Sequence, residues 1–152
     1  MKSESGRSLI EVIGVMAIAG VMTVSALGVF NMLRANQSRS IAGMELKQIA
    51  ENTKILLEMR GSYDAVSVNY LIKSGALQSD KAPLGGEAWS ITPSADGSAF
   101  SINLVDLTNG ECNYFASKKP AWVKALLVNG FEADVSSNCF DSDTNQVSFV
   151  VE

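Results

Sequence analysis

The stretch that decides the fold is residues 6–33, GRSLIEVIGVMAIAGVMTVSALGVFNML. Residues 12–33 are 22 consecutive positions without a charge, and Leu9 and Ile10 carry the apolar run to the other side of Glu11. At about 1.5 Å per residue those positions make a helix of roughly 33 Å, against a bilayer hydrocarbon core of about 30 Å. A plain membrane anchor is one reading. A cleaved secretory signal is another, since Lys2 and Arg7 give a basic start and Val24-Ser25-Ala26 offers small residues for a cut. Its apolar run would then be too long, and neither reading explains Glu11. A carboxylate in a span costs about 2.5–3.5 kcal/mol at the centre and less near the ends, so it marks a function and calls for a cationic partner. Cleavage after Gly6 would supply one: a new α-amino group on Arg7, one helical turn before Glu11.

Outside this stretch the sequence is that of an ordinary globule. The 152 residues have room for one domain and an appendage, not two full cores. Apolar residues make up 47% and charged residues 18%, too many core formers for a disordered chain. Net charge is −4 and the twelve Lys and Arg do not cluster, so no phosphate-neutralising stripe is present and nucleic acid is not an expected partner. Histidine is absent, which removes the commonest general base and the His-dependent nucleophile pairs and zinc sites. An enzyme is not expected, nor any cofactor.

The segment Gly6-Arg7-Ser8-Leu9-Ile10-Glu11-Val12-Ile13-Gly14-Val15 resembles the processing motif of the type IV prepilins: a short charged leader ending in Gly, a cut after it, and Glu as the fifth residue of the mature apolar helix. The mature chain would begin with Arg7, where the family commonly has Phe or Met. Leu84-Gly85-Gly86-Glu87, residues 99–108 with Cys112, and Cys139 followed by Asp141 through Phe149 are similar, in family order, to type IVb pilins of the bundle-forming and conjugative thin-pilus kind. The resemblance implies an α+β pilin fold, a long N-terminal helix packed on a C-terminal antiparallel sheet. It implies a structural subunit of an extracellular type IV pilus, made as an inner-membrane precursor and cut between Gly6 and Arg7 by a prepilin peptidase. Methylation at Arg7, an assembly platform, other pilin subunits and membrane lipid as partners, and roles such as secretion or cell adhesion come with the same resemblance. Minor pilins and type II secretion pseudopilins share the N-terminal motif, and a monomeric membrane-anchored periplasmic protein is a further alternative; two late cysteines favour a pilin.

The implied organisation is a leader at 1–6, a helix at 7–60 with 9–33 in the membrane or filament core, and a head at 61–152. Between Arg34 and Arg60 there is no proline, and Ala42, Leu46, Ile49, Thr53 and Leu56 recur at spacings of four and three, one apolar stripe on a polar helix. Gly61-Ser62 ends it. Many relatives carry a proline in the membrane half; here the first is Pro83, and Gly14, Gly20 and Gly28 lie in the span instead. They either let neighbouring helices approach closely or let the helix melt between Gly20 and Gly28 during assembly. Residues 66–75 read as a short helix; 87–93, 99–105 and 146–151 as strands; and 94–98 as a hairpin turn. Residues 107–117 read as helical, and 123–134 as a fourth strand broken at Asn129-Gly130.

In a chain exported to an oxidising compartment, Cys112 and Cys139 are most simply a disulfide closing a loop of 27 residues. Asp141, Asp143, Asn145 and Glu152 fit positions of a calcium loop, but the sixth position is Gln146 where glycine is needed, so an acidic solvated turn is the reading and no metal is expected. Arg34 and Arg39 flank the span on the head side, against the positive-inside tendency; the resemblance implies leader in, head out.

Overall fold

The computed structural model describes residues 9–86, 88–133 and 138–152. Contacts divide the chain into two compact units, Met1–Gln37 and Ser38–Glu152. The helix α1, Leu9–Glu58, contributes to both.

Within the second unit α1 buries Ala42, Leu46, Ile49, Ala50, Thr53 and Leu57, the positions that spacings of three and four bring to one face. The stripe ends on Leu57 rather than Leu56, which packs only partly against the core. The shift follows from the 3.6-residue repeat: after Thr53, either a step of three or one of four stays on the face. Thr53 is fully buried and its hydroxyl donates to the Ile49 carbonyl at 2.6 Å, so it brings no unsatisfied polar atom inside. Beyond Glu58 the chain tightens into turns, with the Arg60 amide donating to the Leu57 carbonyl, and Gly61 takes φ +71°, a left-handed conformation that ends the helix.

The remainder builds α2 (Val68–Lys73), β1 (Ser90–Pro93), β2 (Phe100–Leu107), α3 (Asn109–Ala116), β3 (Ala125–Val128), β4 (Phe131–Glu132) and β5 (Asn145–Val151). The five strands form one antiparallel sheet in the order β1-β2-β5-β3-β4. The last strand thus lies at the centre, with Val147, Phe149 and Val151 buried against Phe100, Ile102 and Leu104 of β2 and the buried face of α1. Residues 123–134 are not one interrupted strand. Asn129 and Gly130 take φ of +51° and +86°, the doubly left-handed pair of a tight hairpin, and the chain reverses into β4. The helix read from 107 begins later than the sequence suggests: Leu107 completes β2, Thr108 caps α3 through its hydroxyl, and Glu111 returns the bond in a capping box.

Two glycine contacts tie the loops to this frame. Gly85, at φ +67°, lies so close to β2 that an added Cβ would fall 2.4 Å from the Val105 carbonyl oxygen. Gly97, at φ +68°, would place a Cβ 2.2 Å from Asp64 Oδ1, and its carbonyl accepts from the Tyr63 amide, so the β1–β2 hairpin seats on the turn that follows α1.

Candidate assembly surface and disulfide loop

In the unit up to Gln37, the described helix is apolar all round. Fifteen large apolar side chains from Leu9 to Leu33 are between 45% and 79% exposed, and none of the apolar window is buried. A surface helix of a soluble protein shows polar residues on one side; a helix greasy on every side needs lipid or other helices. Each such side chain gains about 1.5–3 kcal/mol when removed from water, so covering the segment would stabilise it. Its two hydroxyls satisfy themselves inside the helix, Thr23 on the Ala19 carbonyl at 2.8 Å and Ser25 on the Val21 carbonyl at 2.9 Å. The helix is continuous through Gly20 and Gly28, and a Cβ at Gly14, Gly20 or Gly28 would meet nothing within 4 Å. Among the described residues nothing therefore requires these three glycines.

Glu11 lies in the first turn of α1, exposed among Ile10, Val12 and Gly14, and has no ion-pair partner among the described residues. Gly6 and Arg7, the expected cut and the expected partner, lie outside the described residues. The placement is favourable in one respect: an acid in the first turn of a helix meets the positive end of the dipole.

In the head, Cys112 of α3 and Cys139 are joined in a disulfide with Cα atoms 5.9 Å apart. For a separation of 27 residues the chain-entropy model gives about 3.5 kcal/mol. The loop that carries Cys139 has a second fastening, which the sequence did not disclose. Asn145 is fully buried; its Oδ1 accepts from the Phe140 amide at 2.7 Å and from Asn129 Nδ2 at 3.0 Å. Its Nδ2 donates to the carbonyls of Leu107, Phe140 and Ser142 at 3.2, 2.9 and 2.9 Å. Asn145 is thus turned inward onto protein carbonyls and not outward as a cation ligand, and among the described residues no group of His, Cys, Asp and Glu is placed to hold a metal. Asn129 completes the cluster, donating to the Asn138 carbonyl at 2.7 Å and accepting from the Gln146 amide at 2.9 Å. The only local hint was an Asn at the start of a strand; its partners come from distant positions that no spacing rule connects.

A groove of about 330 Å³ lies beside α1 in the head, lined in part by Glu45, Gln48, Leu77, Lys81 and Trp89. Burial raises the Glu45 pKa above the ordinary carboxylate value.

A long N-terminal helix whose second half is the spine of an antiparallel sheet, with a disulfide fastening a late loop to the head, is the type IV pilin fold. Among solved structures the chain is similar to TcpA, a type IV pilin from Vibrio cholerae El Tor biotype, with a TM-score of 0.62 and 18% sequence identity, over 76% of this chain and 99% of that one. Comparison with protein-family models finds no match, and comparison with curated proteins finds none.

Proposed function

We propose that the chain is a structural subunit of an extracellular type IV pilus, not an enzyme. The observation that carries this reading is the helix at residues 9–33: of bilayer length, apolar on every side, holding one carboxylate in its first turn, and followed by a head of pilin fold. In the proposal, residues 1–6 are a leader, 7–60 the helix and 61–152 the head. A prepilin peptidase cuts between Gly6 and Arg7 at the inner membrane, and the assembly platform moves the subunit from lipid into a helical homopolymer on the cell surface. Lipid covers the apolar residues before assembly and neighbouring helices cover them afterwards. The cost of transfer is therefore small, because one apolar environment replaces another.

Glu11 sets the register. An unpaired carboxylate in apolar surroundings costs several kcal/mol, and the α-amino group freed on Arg7 offsets this when the two meet, within one subunit or between neighbours. The test is Glu11→Ala in cells that make the pilus. The expected result is a processed, folded subunit with filaments severely reduced or irregular; normal piliation would overturn the role given to Glu11.

A further inference from the structure

The sequence holds two Asn-Gly dipeptides, Asn109-Gly110 and Asn129-Gly130. Both asparagine side chains fasten the same short segment. Asn109 Nδ2 donates to the Phe140 carbonyl at 3.0 Å, and Asn129 Nδ2 donates to the Asn138 carbonyl at 2.7 Å and to Asn145 Oδ1. Asn-Gly is the dipeptide most prone to spontaneous deamidation, because glycine leaves its amide nitrogen open to attack the side-chain carbonyl carbon.

We propose that Asn129 is a deamidation site gated by the fold, and that its conversion releases the loop that carries Cys139. In the reaction the Gly130 nitrogen bonds to Asn129 Cγ, the Cγ–Nδ2 bond breaks, and ammonia leaves with the proton from Gly130. Water then opens the five-membered imide to aspartate or to its β-linked isomer. Gly130 is exposed and Asn129 half-buried, so water reaches the turn. Closing the ring requires the side chain to rotate off three partners: the Gln146 amide at its Oδ1, and Asn138 and Asn145 at its Nδ2. The reaction therefore waits on local opening.

Once it happens, the latch cannot re-form. An oxygen replaces Nδ2, facing the Asn138 carbonyl and Asn145 Oδ1, so that two donated bonds become contacts between acceptors. Asn145 cannot turn its amide to compensate, since its Oδ1 also accepts from the Phe140 amide and its Nδ2 serves three carbonyls. The β-linked product would in addition lengthen the backbone by one carbon within a two-residue hairpin turn. Asn109 sits in the first turn of α3, where its side chain also accepts from Asn113 Nδ2, so it is the second site in order.

The test uses the full chain in mild detergent at pH 8.5 and 37 °C, with peptide mass mapping over time. At Asn129, deamidation is expected to be at least about tenfold slower in the native oxidised protein than in urea, and to be accelerated by reduction of the disulfide and by Asn145→Ala. The deamidated fraction, separated by ion exchange, is expected to show faster amide exchange at residues 139–145 with β2 unchanged. Equal rates in native and unfolded protein would overturn the gating; unchanged exchange at 139–145 in the deamidated fraction would overturn the release.

Discussion

Replacing Asn145 by alanine tests the head's polar clasp with the least ambiguity. The amide of the fully buried Asn145 accepts two hydrogen bonds and donates its two hydrogens among three carbonyls, and the partners Asn129 and Ser142 are half-buried. Counting four bonds at about 1 kcal/mol net each gives roughly 4 kcal/mol. A figure of that size is a large fraction of a total of about 5–15 kcal/mol for a domain. Both tryptophans, Trp89 and Trp122, lie in the head, so urea unfolding followed by fluorescence reports the head with no signal from the apolar helix. With a urea slope near 1.5 kcal/mol/M, the midpoint should fall by about 2–3 M. Thr144→Ala, one residue away and exposed, is the control and should stay within about 0.5 kcal/mol. A midpoint for Asn145→Ala within about 0.5 M of wild type would show that the clasp contributes little, and the account of the loop would be wrong.

Two glycines should respond with opposite signs in the same assay. Gly97→Ala forces a Cβ onto Asp64 at a left-handed backbone position and should cost about 1–3 kcal/mol, whereas Gly43→Ala, helical with nothing within 4 Å of its Cβ, should gain about 1 kcal/mol. Asp96 is held at a pKa of about 2, below its ordinary 3.8, by the hydroxyls of Ser94 and Ser98 and then the Ser98 amide. A depressed folded value means the contribution is complete above about 3.8 and disappears as pH falls through about 2. NMR titration should place the Asp96 carboxyl there in wild type and move it upward in Ser94→Ala; an unmoved value would reject the assignment to the hydroxyls.

What could be read in advance was what repeats locally. The helical stripe from Ala42 to Thr53, the β1–β2 hairpin and the alternation of Phe100, Ile102 and Leu104 each follow a period of 3.6 or 2, and the structure has them where the residues place them. The β3–β4 hairpin is not legible in the sequence although Asn129-Gly130 is a hairpin dipeptide, because β4 has two residues and two residues show no alternation. In the sequence Asn145 reads as part of an acidic turn, since nothing near it reveals that Leu107, Asn129 and Phe140 converge on it. Gly85 stands out in the sequence as part of a motif, yet its reason is a β2 carbonyl twenty residues later. Glu11 is the reverse case. Its chemistry is plain from the sequence, while the partner proposed for it lies on a terminus formed only by cleavage or on another copy of the chain.

The most direct measurement is the intact mass of the protein sheared from the surface of cells that express it. The expected result is abundant fibres whose subunit has lost Met1 through Gly6, begins at Arg7 with or without a methyl group, and lacks the two hydrogens of a Cys112–Cys139 bridge. A chain that keeps its first six residues and is found only in the membrane fraction would contradict the assignment as a pilus subunit.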